Sequence, residues 1–268
     1  MEQQLNTARG YFRIALSGEA SLPALLLSNS LGTTLEMWKP QVDELSKNFH
    51  VIRYDTRGHG GSPITAGPYE FKDLGEDVLA IMDALEVDRG MFCGLSMGGH
   101  TGLWLAINAA ERFQAIAVCN SAARIGSVDG WRERAASLRQ GGVSGMHDLA
   151  KSAPNRWFTD QFITGSPDIV KQMQQGLENV SPEGYAACCD ALATSDLRGD
   201  LPAINTPMLF LAGLSDPVTT LLDAQQMQCL VSTSQLKTIA ASHLSNIEAP
   251  HEFTNIVSSF LSQPKFSN

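Results

Sequence analysis

The stretch Phe92-Cys93-Gly94-Leu95-Ser96-Met97-Gly98-Gly99 decides how this chain is read. A short apolar run, Gly90 to Leu95, leads into it as a buried strand, and an apolar, small-residue run from Met97 to Ala110 leads out as a helix. Between the two, Ser96 turns the chain sharply. Glycines at 94 and 98 remove Cβ atoms that would collide across so tight a bend, and Gly99 lets the helix pack close to its strand. Such a turn pushes the serine hydroxyl clear of the sheet. It also sets the serine at a helix N-terminus, where free N–H groups and the dipole favour negative charge. An ordinary strand–helix turn would show the same glycines, so the motif gains meaning only through partners elsewhere.

Working outward, strands alternate with helices from about residue 24 to 120. Pro23-Ala24-Leu25-Leu26-Leu27 is a continuous apolar run, as expected of a strand buried on both faces of a parallel sheet. A small-residue loop, Ser28 to Thr33, follows it, then a helix with Trp38, Val42 and Leu45 on one face. The strand His50 to Asp55 ends in the Gly-rich turn Asp55-Thr56-Arg57-Gly58-His59-Gly60-Gly61-Ser62. Phe71 to Leu85 is amphipathic, with Leu74, Val78, Ile81, Met82 and Leu85 inward. Ala115 to Cys119 is a further strand. Upstream, Tyr11 to Leu16 reads as a strand in an edge hairpin. Repeated βα units imply a mostly parallel twisted sheet flanked by helices, with ligands bound beyond the carboxyl ends of the strands. Leu31, Arg57, Ser96 and Asn120 all follow strand ends and belong to one rim. From Arg124 to about Leu201 the rhythm breaks into helical patterns, and it returns with a strand at Pro207 to Ala212, a helix from Thr219 to Leu230, a strand at Leu236 to Ile239 and a helix from Phe253 to Leu261. The expected organisation is therefore a core of residues 1–123 and 201–268 and a helical cap or lid of residues 124–200 over the rim, with a purely packing subdomain as the plainer reading.

Composition bounds the function. The 268 residues carry a net charge of −9, 43% hydrophobic residues and 18% charged ones, which suits a large core and argues against a nucleic-acid or anionic-membrane binder. No apolar run reaches the length of a bilayer span, and Met1 to Asn6 shows no charged segment followed by an apolar one, so a cytoplasmic location is expected. Cysteines at 93, 119, 188, 189 and 229 are read as free thiols. The adjacent Cys188-Cys189 pair has no C-x-x-C partner, so a zinc site is not expected.

A serine hydroxyl is a poor nucleophile and needs a base that is itself oriented by an acid. After a G-x-S-x-G turn the partners follow in the order acid, then histidine, each beyond a later strand. Asp216, in Gly213-Leu214-Ser215-Asp216-Pro217, and His243, in Ala241-Ser242-His243-Leu244, occupy those places. Asp before Pro is also a common turn starter, and of the six histidines His59 rivals His243 by position. His59 precedes Ser96, however, and its Gly-rich turn explains it structurally. Ser96, Asp216 and His243 are the candidate catalytic residues. The backbone N–H groups of Met97 and Leu31 are the candidate oxyanion donors, and Ser30 beside them is a candidate substrate-binding residue.

The elbow, Asp55-Thr56-Arg57-Gly58-His59-Gly60, Gly213-x-x-Asp216 and the late His243 resemble the α/β-hydrolase superfamily across the whole chain. The runs Ser28 to Thr33, Tyr54 to Gly60, Cys93 to Gly99 and Cys119-Asn120-Ser121-Ala122-Ala123-Arg124-Ile125-Gly126 closely resemble the 3-oxoadipate enol-lactonases of aromatic catabolism, the β-ketoadipate route. Where the superfamily often places His-Gly before the oxyanion residue, this chain has Asn29-Ser30, which leaves the bracing of that loop open. The resemblance implies a small-molecule substrate, an enol-lactone carrying a carboxylate, opened through an acyl-enzyme without cofactor. Such a carboxylate needs a cationic partner, and Arg134, three residues after Trp131 on one helix face, is the first candidate, with Arg124 second. A solvated surface role is the alternative for Arg134, and for Arg57 a structural role is favoured. Competing functions are a general carboxylesterase, a cofactor-free haloperoxidase or perhydrolase, and a non-catalytic ligand receptor on the same fold.

Overall fold

The computed structural model describes residues 2–263. Eight strands form one sheet in the order β1-β2-β4-β3-β5-β6-β7-β8: β1 Glu2–Thr7, β2 Gly10–Ser17, β3 Ala24–Ser28, β4 His50–Tyr54, β5 Gly90–Leu95, β6 Phe113–Cys119, β7 Met208–Gly213 and β8 Ser234–Ile239. The β1–β2 and β2–β4 pairings are antiparallel and all others parallel. The edge hairpin expected near the start is present. The central strands are buried on both faces, as their unbroken apolar runs require: Leu25, Leu26 and Leu27 are each 0% exposed, every one contributing roughly 1.5–3 kcal/mol through burial.

The helices of the sheet layers are α1 Lys39–Leu45, α2 Phe71–Ala84 and α3 Met97–Asn108. Then come five helices without a strand: α4 Val128–Ser152, kinked at Gly142, α5 Pro154–Trp157, α6 Asp160–Gly165, α7 Pro167–Glu178 and α8 Pro182–Thr194. The chain closes with α9 Leu221–Leu230, α10 Ser245–Glu248 and α11 Pro250–Leu261. Three boundaries differ from the sequence reading, each for a local reason. Trp38 lies in a 3₁₀ turn ahead of α1, and Gln41 rather than Val42 is buried beside Leu45, because Gln41 donates to the Asn246 carbonyl at 2.8 Å. Helix α9 begins after Thr219 because Thr220 caps it: Thr220 and Asp223 each bond the other's backbone N–H. Helix α11 begins at Pro250, three residues before Phe253, since proline is tolerated in a first turn.

Helix α8 is bonded onto the rim of the sheet. Ala187 accepts from the Tyr69 amide at 3.3 Å, and Gly184 meets Gly58 so closely that a Cβ on Gly184 would lie 2.0 Å from the Gly58 carbonyl oxygen. One apolar cluster therefore runs from Leu25, Cys93 and Leu209 in the sheet to Leu177, Tyr185 and Cys188 in the helical segment. Of the five cysteines only Cys229 is exposed, and all are free thiols. Among the described residues no helix is long and apolar enough to cross a membrane, and no cluster of metal-ligating side chains is found.

Candidate active site

Ser96 sits between β5 and α3 at φ 59°, ψ −116°, a conformation costly for a residue with a side chain. The neighbouring glycines make it attainable: a Cβ on Gly94 would lie 2.1 Å from the Gly98 carbonyl oxygen, and one on Gly98 would lie 2.2 Å from that of Ser28. The turn brings Ser96 Oγ to 2.9 Å from His243 Nε2, while His243 Nδ1 lies 2.8 Å from Asp216 Oδ2. Three residues from three strand ends thus stand in hydrogen-bond succession. All are buried, His243 at 3% and Asp216 at 7% exposure.

Asp216 is heavily bonded. Its Oδ1 accepts from the Val218 and Thr219 amides at 2.8 and 3.1 Å, and its Oδ2 accepts from Asn120 Nδ2 at 3.0 Å and Thr219 Oγ1 at 2.9 Å besides His243. Burial pushes its pKa up, but the charge and hydrogen bond of His243, together with those from Asn120 and Thr219, outweigh it and hold the carboxyl below its ordinary range. A fixed carboxylate on Nδ1 leaves the lone pair of His243 on Nε2, facing the serine hydroxyl. Asn120, at φ 44°, also donates to the Ser242 carbonyl at 3.1 Å and so joins the acid to the histidine loop. The sequence placed Asn120 on the rim without a role; a polar residue directly after a buried strand was the available signal.

The loop after β3 is a tight turn, Ser30 to Thr33, with Gly32 at φ 82°. The Thr33 amide bonds the Ser30 carbonyl at 3.1 Å, the Ser30 amide faces Met37 Sδ at 3.4 Å, and the Gly32 amide donates to His59 Nε2 at 2.9 Å. Among the described residues only the Leu31 amide of this turn is left without an acceptor, and Leu31 lines the same cavity as Ser96. The Met97 amide, at the first position of α3, has no intrahelical acceptor either.

His59 therefore supplies the brace that the sequence reading left open. It is 0% exposed, and burial pushes its pKa down to about 4, so near neutrality it is an uncharged acceptor. The rest of its turn is equally structural: Asp55 takes the Leu35 and Gly61 amides, and Arg57 grips Asp77 through Nε at 2.6 Å and Nη2 at 2.5 Å. Arg57 is committed to that pair, in line with the structural role expected of it.

The cavity over Ser96 has a volume of about 290 Å³. The sheet rim contributes Ser30, Leu31, Ser96, Val218 and His243, and the helical segment contributes Trp131, Arg134, Trp157, Leu177 and Tyr185. Arg134 stands over the Trp131 ring, 4.9 Å from its centroid, as their spacing on α4 predicted. Arg124 does not line this cavity. It meets Asp196 at 3.5 Å and faces a separate cleft beside α9, so it is set aside as a ligand for the substrate. Arg156, which the sequence reading did not single out, does line the cavity; its charge in a patternless four-residue helix gave no signal.

The family model for the alpha/beta hydrolase fold matches residues 23–250 of the chain. The chain belongs to the alpha/beta hydrolase family. Within that family it is 46% identical over 243 residues to 3-oxoadipate enol-lactonase 2 of Acinetobacter baylyi, which covers 91% of this chain and 90% of that one. It is 44% identical to 3-oxoadipate enol-lactonase 1 of the same organism, over 92% of each chain. The crystal structure of the enol-lactonase from Burkholderia xenovorans LB400 superposes with a TM-score of 0.94 at 40% identity, covering 97% of this chain and 100% of that chain. Among alpha/beta hydrolases, a serine, an imidazole and a carboxylate in hydrogen-bond succession beside two unspent amides suit acyl transfer.

Proposed function

We propose that this protein is a serine hydrolase that opens 3-oxoadipate enol-lactone to 3-oxoadipate in aromatic compound catabolism. The observation that carries the reading is the 46% and 44% identity to two enol-lactonases over nine-tenths of each chain. The hydrogen-bonded succession Ser96–His243–Asp216 supports a mechanism for it. Ser96 Oγ attacks the lactone carbonyl carbon while His243 Nε2 takes the hydroxyl proton. The oxyanion is received by the amides of Leu31 and Met97; one such donor is typically worth about 2.7–4 kcal/mol in the transition state. The ring C–O bond breaks, the enolate oxygen recovers the proton from His243, and the enol tautomerises to a ketone. That tautomerisation makes ring opening irreversible. Water, deprotonated by His243, then releases the diacid and regenerates Ser96. Residues 124–200 act as the cap that closes the cavity over residues 1–123 and 201–268, with Trp131 walling it, Ser30 at its floor and Arg134 holding the substrate carboxylate.

The test is turnover of 3-oxoadipate enol-lactone, followed in the ultraviolet. His243→Ala is expected to lower kcat by about four orders of magnitude. A fluorophosphonate is expected to label the wild type and not Ser96→Ala. Absence of lactone turnover by folded wild type would refute the substrate assignment, and undiminished labelling of Ser96→Ala would refute the nucleophile.

A further inference from the structure

Two guanidiniums face the cavity and neither has a protein counter-ion. Elsewhere among the described residues the buried and half-buried arginines meet carboxylates, as Arg13 meets Glu36 and Asp55, Arg57 meets Asp77 and Arg112 meets Asp83, except Arg53, which bonds the Leu35 carbonyl and does not line this cavity. Among the described residues Arg134 and Arg156 form no ion pair. Arg134 has the Trp131 ring beneath it, and Arg156 spends Nη1 on the Ser152 carbonyl and hydroxyl oxygens at 3.3 and 3.2 Å. Both are half-buried and both line the cavity that holds Ser96 Oγ. Like charges in one partly dry cavity repel, and desolvation adds to the cost. Burial, and after it the proximity of Arg134, depresses the pKa of Arg156. Tyr185, 4% exposed on the same wall, senses both charges: burial drives its phenol pKa up, and Arg134 and Arg156 pull against that. Two positive charges and a phenol facing a nucleophile, without an anion of their own, form a receptor for one.

We propose that Arg156 and Arg134 together clamp the carboxylate of the substrate, with the Tyr185 hydroxyl as a third donor, so that Arg156 is a specificity-determining residue for acyl chains ending in a carboxylate. The proposal rests on the hydrolase reading above but not on the lactone itself. The position of Arg156 also has a consequence for alignment. The carbonyl of the next residue, Trp157, accepts the Leu244 amide at 2.9 Å, one residue beyond His243. The clamp is thereby built on the same backbone junction as the base, which sets the bound chain in register with the attacking hydroxyl.

The experiment compares two aryl esters of equal chain length, the 4-nitrophenyl monoester of adipic acid and 4-nitrophenyl hexanoate, by the ratio of their kcat/KM values. Wild type is expected to favour the adipate ester. Arg156→Ala is expected to cut that ratio about 10- to 100-fold, the range for a hydrogen bond to a charged group, mostly through KM, and Arg156→Lys to restore part of it. A ratio for Arg156→Ala within twofold of wild type, at an unchanged melting temperature, overturns the clamp. Should Arg156→Ala fold poorly, wild type alone decides: free adipate must inhibit competitively where neutral adipamide does not, and equal inhibition by the two overturns the proposal. An intact adipate preference in a protein that leaves the enol-lactone untouched would support the clamp and sink the lactone assignment, which keeps the two readings separable.

Discussion

In the proposed mechanism Asn120 and His59 act one step away from the reacting atoms. Asn120 holds Asp216 by one bond and the Ser242 carbonyl by another, so it keeps the acid and the histidine loop in one arrangement. Asn120→Ala is expected to lower kcat about 10- to 100-fold with KM within about threefold, because the lost bond orients His243 rather than binding substrate. A change confined to KM would count against this role. His59 holds the turn that presents the Leu31 amide. His59→Phe keeps an aromatic ring but removes the acceptor for Gly32; kcat is expected to fall about tenfold or more. His59→Gln keeps an acceptor oxygen and is expected to recover most of that loss. Equal loss in both variants would show that ring packing against Tyr185, 6.4 Å away, matters and the hydrogen bond does not.

At the scale of elements, the elbow between β5 and α3 and the junction between the start of α6 and the histidine loop matter most. The elbow has no room: Gly98→Ala must displace either the Ser28 backbone or α3 itself. A cost of about 1–3 kcal/mol in urea unfolding is expected, with a larger fractional loss of kcat as Ser96 moves. At the junction, one carboxylate serves both sides. Glu248 Oε2 accepts the Ser242 amide at 2.8 Å, while Oε1 accepts the Thr159 amide at 3.2 Å and the Thr159 hydroxyl. Glu248→Ala frees the start of α6 from the loop that carries His243. It is expected to reduce kcat several-fold and to expose amides around 159 and 242 to faster hydrogen exchange, whereas unchanged exchange there would dismiss the junction as a constraint.

Over the whole molecule, the buried histidines link stability to pH. His59 and His100 are each held neutral by burial, with pKa values pushed down to about 4 from 6.5. Between those values the unfolded chain binds protons that the folded chain refuses. Stability therefore rises with pH across that window, is complete above about 6.5, and is lost as pH falls toward 4. Each histidine adds up to about 1.4 kcal/mol per pH unit to the slope. Urea midpoints measured from pH 7 to pH 5 are expected to fall, and His59→Gln to show a shallower decline by about one proton's worth. An identical slope in that variant would refute the assignment. Asp216 acts in the same direction at lower pH, since its depressed pKa contributes stability that disappears only as pH falls through the folded value.

Much of this was written along the chain. Short unbroken apolar runs such as Leu25-Leu26-Leu27, bounded by turn residues, suit strands covered on both faces, and their alternation with helical patterns points to a parallel sheet with its ligand rim at the strand ends. Gly94-x-Ser96-x-Gly98 and the order of Asp216 and His243 follow from steric and topological rules that act over short spans or along the strand sequence. Asn120 was legible as a polar residue on the rim, but its choice of Asp216 as partner, the brace from His59 to Gly32 and the convergence of Arg156 with Arg134 had no linear signature. Each joins residues on separate elements whose side chains meet only after the sheet has twisted and α4 to α8 have packed across its rim. Local propensity and periodicity determine which elements form and where they end; which charges share a cavity is decided by packing, because solvent is excluded only once the elements have closed on one another.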